Sequence, residues 1–367
     1  MDKNKDVIYN FSAGPAMLPK ETLKIAQLGL CNWQNSGKSI LEISHRSKEF
    51  TSVIESLEYN LRDLLNVPKY YKVLFCHGGA RGQFSAIPMN LLKNNGRNPD
   101  YINSGYWSYS AALESRKYCV PNIINVRKIL NGNHCVCSIK NWEINTNNTY
   151  LHYCPNETIE GIAIYEEPYF KDDIIVVGDF SSTLFSRIID ITRYGIIYAS
   201  AQKNIGPPGV TIVIVHEDLL KEPKIVCPSI LNYNILSKSN SMFNTPATFS
   251  LYISGLVLEW MKKLGGLKAI QKSNEKKANL LYNMIDSTDF YINNVMNHNR
   301  SFMNVTFTIA NSNLHSLFLK ESYDFGLHCL NGHNVIGGLR ASIYNAMPIE
   351  GVMKLIKFMK IFEKKYE

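Results

Sequence analysis

No stretch of the 367-residue chain approaches the run of roughly 18 apolar residues that a membrane-spanning helix requires. Its first eleven residues, MDKNKDVIYNF, hold no apolar block of the kind a secretory signal carries. The expectation is a cytoplasmic protein with no membrane partner. The eight cysteines are scattered: no Cys-x-x-Cys pair occurs and no histidines stand near them at zinc spacing, so reduced thiols and no metal are expected. Cys135 and Cys137 read as two residues on one strand face. The net charge of +8 comes without a basic block interleaved with aromatics, which argues against a nucleic-acid partner. Sequons at Asn147 and Asn156 count as chance matches without a secretory signal. Repeats and low-complexity linkers are absent too.

What remains is a globular composition, 45% hydrophobic and 19% charged, in a chain longer than one core usually serves. Two domains follow. Phe50, Val53, Ile54, Leu57, Leu61, Leu64 and Leu65 mark one face of a helix ending near Asn66-Val67-Pro68. Tyr71 to Phe75 then reads as a strand. Further strand-like segments lie around Tyr101, Ile123, Leu151, Ile174 and Ile196 and over 210–215, alternating with helical or mixed stretches, the pattern of an α/β domain with a mainly parallel sheet. From about Phe249 the pattern changes to long helices broken at Gly265-Gly266. An alternating strand over 302–309, another over 335–342 and a last helix from Pro348 complete a smaller α+β region.

The segment 174–209, IIVVGDFSSTLFSRIIDITRYGIIYASAQKNIGPPG, carries the strongest chemical signal. One β-branched run delivers Asp179 at its end, and a second leads to Lys203 in a loop closed by Gly206, Pro207, Pro208 and Gly209. C-terminal ends of parallel strands are where open α/β sheets bind ligands. An amine and an acid there suit pyridoxal phosphate: the lysine forms a Schiff base, and the carboxylate keeps the pyridine nitrogen protonated.

Other segments fit or compete. Residues 73–84, VLFCHGGARGQF, read as strand, glycine-rich turn and helix start, a place for a phosphate or simply a tight turn. The spacing is not that of a dinucleotide fingerprint. Ser36-Gly37-Lys38-Ser39 resembles the tail of a P-loop, but Asn32 stands where the earlier glycine belongs. Trp107 is placed to stack on a planar ring or to fill core, and Thr158 to offer a hydroxyl or to form a turn. His45-Arg46, His333 and Arg340 are candidate anion holders, Arg340 the best of them because an unpaired charge in its apolar setting is costly.

With these residues assembled, the chain resembles the phosphoserine aminotransferases, class V members of the fold type I pyridoxal-phosphate transaminases. The resemblance runs from Asn10-Phe11-Ser12-Ala13-Gly14-Pro15-Ala16 through Ser44-His45-Arg46, Cys76-His77-Gly78-Gly79, Asp179-Phe180-Ser181-Ser182 and Gln202-Lys203-Asn204-Ile205-Gly206-Pro207 to Arg340-Ala341-Ser342-Ile343-Tyr344-Asn345-Ala346. It implies a large domain with a mainly parallel seven-stranded sheet over 16–262, and a small domain formed by 1–15 with 263–367. It implies Lys203 as the Schiff-base lysine, Asp179 on the pyridine nitrogen, Trp107 on the ring and Thr158 on the phenolic oxygen. Ala80, Arg81 and Gln202 hold the cofactor phosphate, with Asn244 and Thr245 from the neighbouring subunit of a homodimer. Arg340 grips the substrate carboxylate, and His333 with the partner's His45 and Arg46 lies near the distal phosphate or carboxylate.

The implied reaction is transamination between phosphoserine and 2-oxoglutarate in serine synthesis, extending to a phosphorylated threonine derivative on the pyridoxine pathway. Asn334 departs from the pattern, since relatives often carry arginine there, and Ala80 stands where glycine is frequent. A cysteine desulfurase or an alanine:glyoxylate transaminase is the alternative in the same fold. The desulfurase needs a mobile cysteine, and Leu327-His328-Cys329-Leu330 reads as a structural helix instead. A non-catalytic nucleic-acid or nucleotide binder is the alternative outside it.

Overall fold

Helix Lys48–Leu65 forms where the apolar stripe predicts it, burying Phe50, Ile54, Leu57, Leu61, Leu64 and Leu65. Ser47 Oγ accepts from Phe50 N at 3.2 Å to start it, and Asn66 ends it in the left-handed region at φ 51°. The computed structural model describes residues 7–93, 95–170, 174–334 and 336–367.

Seven strands build the large sheet, in the order Tyr71–Cys76, Thr211–His216, Ile196–Ser200, Val176–Asp179, Leu151–Tyr153, Asp100–Asn103, Asn122–Asn125. Thr211–His216 runs antiparallel to both its neighbours, and every other pair is parallel. All five residues of Ile196–Ser200 and all four of Val176–Asp179 are buried, as expected for strands covered on both faces. The parallel arrangement sends Tyr153, Asp179 and Ser200 to one edge of the sheet.

A second, antiparallel sheet follows the order Tyr291–Ile292, Asn304–Ile309, Gly337–Ser342, Asn331–His333. It has its own apolar cluster, in which Phe307, Phe318, Leu339, Phe358 and Phe362 pack together with residues of helices Gly266–Asp286 and Ile349–Tyr366. The long helices part where expected: Gly265 and Gly266 sit at φ 98° and 71°, a conformation side chains resist. The N-terminal arm reaches this region, with Tyr9–Asn10 pairing parallel to Leu327–His328.

Three expectations shift. The strand over 302–309 begins at Asn304, and the one over 335–342 spans Gly337–Ser342, with Val335 outside the described residues. Cys329 does not lie in a helix: it is exposed, at φ 63°, in the turn between strands Leu327–His328 and Asn331–His333. The apolar residues around it serve strand pairing with the N-terminal arm, a non-local partner that helical spacing cannot reveal. Among the described residues no helix is long and apolar enough to cross a membrane, and no His/Cys/Asp/Glu group is arranged to hold a metal.

Candidate active site

The two strand ends converge. Asp179 and Lys203 open into one cavity of about 260 Å³, which Gly78, Gly79, Ala80, Arg81, Trp107, Cys154, Thr158, Ser200 and Gln202 also line. Asp179 is almost fully buried. Its Oδ1 accepts from Ser181 N at 3.0 Å and from Ser181 Oγ at 2.6 Å. Burial pushes the Asp179 carboxyl above its ordinary pKa, while Ser181, the Lys203 ammonium and Tyr198 pull it back. Lys203 Nζ donates to Thr158 Oγ1 at 2.6 Å, so the amine and the hydroxyl expected to face the same ring already meet.

The glycine-rich turn begins a helix, Gly79–Leu91, whose N-cap is Gly78 at φ 88° with no side chain capping it. The first-turn N–H groups are thus left for an outside acceptor, the arrangement a phosphate uses. Ala80 and Arg81 lie in that first turn, and the Arg81 guanidinium sits 5.4 Å from the centre of the Trp107 ring. Gln202 Oε1 accepts from Ser200 Oγ beside it.

Trp107 is held from below. It lies in the first turn of helix Tyr106–Ser115, and the buried Glu157 carboxylate accepts from Trp107 N at 2.9 Å, Ser108 N at 3.0 Å and Ser104 Oγ at 3.2 Å. Glu160 accepts from Tyr106 N at 2.8 Å. Two carboxylates at one helix N-terminus complement its dipole, and burial raises both, Glu160 to about 7. Gly105 makes this approach feasible, since a Cβ there would stand 2.6 Å from Glu157 Cγ.

Arg340 lies on strand Gly337–Ser342 opposite Thr306, half-buried, and its buried Nε has no hydrogen-bond partner. Burial lowers the pKa of Arg340, and burial together with Arg340 lowers that of His333. The His333 ring stands 5.5 Å from that of Tyr106, next to Trp107 in the chain. Asn334 is exposed. His45, Arg46, Asn244 and Thr245 do not line the Asp179–Lys203 cavity of their own chain: Arg46, Asn244 and Thr245 are exposed, and His45 lines a separate cavity.

Several site residues escaped the sequence reading. Cys154 and Asn156 lie on the cavity wall, Asn156 Nδ2 donating to Ser182 Oγ and Asn304 Oδ1 at 2.9 Å each. Ser181, beside Asp179, carried a usable signal, since a serine two residues after an aspartate closes a local side-chain turn. Behind the aspartate, His152 Nε2 is 2.8 Å from the Tyr198 hydroxyl, and burial pushes the pKa of His152 from 6.5 down to about 3. Between those pH values the unfolded chain binds a proton that the folded chain refuses. Stability therefore falls as acid is added through this window, by up to about 1.4 kcal/mol per pH unit. Urea midpoints at pH 7 and pH 5 check this: the wild type loses more stability than His152→Gln, and equal losses contradict it.

The groups present fit pyridoxal phosphate: an amine, a buried carboxylate that the same amine faces, an indole on the wall and an uncapped helix start. Comparison with known proteins agrees. The family model for class-V aminotransferases matches residues 8–355. A curated protein of Buchnera aphidicola subsp. Baizongia pistaciae, named phosphoserine aminotransferase, is 64% identical over 364 residues, 98% of each chain. The solved phosphoserine aminotransferase of Bacillus circulans subsp. alkalophilus superposes with a TM-score of 0.94 at 39% identity, covering 99% of this chain and 100% of that one. The Trichomonas vaginalis structure, described as bound to PLP, gives a TM-score of 0.90 at 36% identity over 96% and 99%. A match over nearly the whole length, with the amine, the acid and the helix start in one cavity, places this chain in the class-V aminotransferase family, among the phosphoserine aminotransferases.

Proposed function

We propose that the protein transfers the amino group of O-phospho-L-serine to 2-oxoglutarate, yielding 3-phosphohydroxypyruvate and L-glutamate, and that it does so as a cytoplasmic homodimer holding pyridoxal 5'-phosphate. The observation that carries this reading is the convergence of Lys203 and Asp179 in one cavity beside the uncapped helix start at Gly79. Its full-length similarity to phosphoserine aminotransferases supports the choice of substrate.

When bound, the cofactor supplies an aldehyde and an electron-poor ring that stabilises negative charge at the substrate α-carbon. With the cofactor bound, Lys203 Nζ would link to its aldehyde and, when free, would be the general base that moves the proton of the substrate α-carbon. Thr158, which already accepts from Nζ, holds the amine in place and would offer its hydroxyl to the ring's phenolic oxygen. Asp179 would hold a proton on the cofactor's ring nitrogen, Trp107 would cover one ring face, and Ala80, Arg81 and Gln202 would hold the phosphate.

Arg340 meets the substrate α-carboxylate, for which its unpartnered Nε and planar fork are suited. His333 lies toward the distal group. His45, Arg46, Asn244 and Thr245 act in the partner's site, a role consistent with their not lining the cavity of their own chain. Exposed Leu23, Ile25, Leu28 and Leu30 on helix Lys20–Asn32 offer apolar surface for such a dimer. The separate apolar clusters support a large domain over 16–262 and a small one from 1–15 with 263–367, although Leu267, Ile270 and Val295 pack on the large-domain side and Met17 on the small.

Titrating the holoenzyme with phosphoserine alone tests the reading. One equivalent of 3-phosphohydroxypyruvate per site should form as the yellow colour fades, and no change with phosphoserine overturns it. Asn334 gives a second test. Asn334→Arg adds a charge-assisted hydrogen bond, which contributes about 1 kcal/mol more than a neutral one. Affinity for phosphoserine should tighten roughly fivefold in the same titration. Unchanged or weaker binding counts against placing this residue at the phosphate.

A further inference from the structure

Behind Asp179 lies a buried polar row that the reaction as derived leaves unused. Sheet register creates it: Asp179 stands opposite Tyr198, and two residues earlier Val177 stands opposite both His152 and Ile196. Side chains alternate along a strand, so His152, Asp179 and Tyr198 share one face. His152 and Tyr198 are 1% and 0% exposed, closed off from solvent. Tyr198, directly opposite Asp179 in the register, helps hold its carboxyl down, and the Tyr198 hydroxyl lies 2.8 Å from His152 Nε2. Tyr101 stacks on the imidazole at 4.9 Å.

The protons in this row are fixed by counting donors and acceptors. An ionised Asp179 only accepts, so a Tyr198 O–H turned toward it from the opposite strand donates. With that proton committed, the Tyr198 oxygen accepts, and His152 must donate from Nε2. The other ring nitrogen, Nδ1, is buried with no hydrogen-bond partner. A bare lone pair there is tolerable, whereas an unpaired N–H costs more. The imidazole stays neutral because burial opposes its charge.

We propose that His152 and Tyr198 are positioning residues: a directional hydrogen-bond relay, Nε2–H of His152 to Tyr198 and O–H of Tyr198 to Asp179, that orients the Asp179 carboxylate and keeps it ionised for the cofactor ring nitrogen. This rests on the functional reading above. Tyr198→Phe removes the donor, leaving Asp179 with Ser181 alone at full burial. The ring nitrogen then shares its proton less completely, and kcat falls roughly tenfold or more with substrate KM little changed.

The test has two parts. The first is the two-bond proton–nitrogen NMR of the ¹⁵N-labelled His152 ring, assigned by its loss in His152→Gln and read in the protein without cofactor. Expected is a protonated Nε2 and a bare Nδ1, and a protonated Nδ1 overturns the relay. The second is the ring-nitrogen signal of bound ¹⁵N-labelled pyridoxal phosphate. It should shift toward the deprotonated position in Tyr198→Phe and His152→Leu. It should return in His152→Gln, which keeps an N–H at that place. A wild-type signal in folded Tyr198→Phe contradicts the proposal. If the wild type takes up no cofactor, the functional reading fails, while the histidine signal still decides the relay's direction.

Discussion

Lys203→Ala loses about ten-thousand-fold or more in turnover while the protein still binds pyridoxal phosphate without a covalent link. The residue has two duties on one atom. Its Nζ would form the link to the aldehyde and, when free, would move the α-proton, a general-base contribution of about 10²- to 10⁴-fold by itself. Among the described residues that line the cavity none substitutes for it: Arg81 stands over the Trp107 ring, and Thr158 is the hydroxyl to which Nζ donates. Steady-state assays with phosphoserine and 2-oxoglutarate, with dialysis against cofactor-free buffer, check both halves. A variant retaining a tenth of wild-type turnover would place the base elsewhere.

Asp179→Asn is expected to lose roughly 10²- to 10³-fold in kcat, the scale seen when one fixed electrostatic partner of a developing charge is removed. Asparagine still accepts from Ser181 N and Oγ, so local geometry survives, but a neutral amide cannot hold a proton on the ring nitrogen. Stability should move the other way. Burial pushes the Asp179 carboxyl toward its neutral form, so the folded state bears a cost for the charge that the amide lacks. The cofactor-free variant therefore melts at or above the wild-type temperature. Lower activity without lower stability separates a chemical role from a structural one. A matched fall in both contradicts it.

Asp179 and Lys203 were legible because the information is local: a buried strand must end somewhere, and a polar side chain at its carboxyl end faces the crevice. The seven strands were legible for the same reason, each carrying its own apolar run. His152 and Tyr198 were not, because LHY and IIYAS read as ordinary core. Their meaning depends on which residue lies opposite Asp179, and register between strands distant in sequence is not written in either strand alone. Glu157 was hidden similarly, since capping the helix that carries Trp107 requires the fold to bring residues 105 and 157 together. Cys329 was misread because strand Leu327–His328 is completed by the N-terminal arm. Asn244 and Thr245 came from family resemblance alone, and so did the partner-site role of His45 and Arg46, whose side chains by themselves read only as anion holders.

The central claim is the covalent placement of the cofactor, and borohydride reduction of the holoenzyme followed by peptide mass spectrometry tests it most directly. The pyridoxyl adduct should sit on the peptide containing Lys203, one per chain, and be absent from Lys203→Ala. An adduct confined to another lysine, or an unmodified Lys203 in a fully active preparation, would contradict the account.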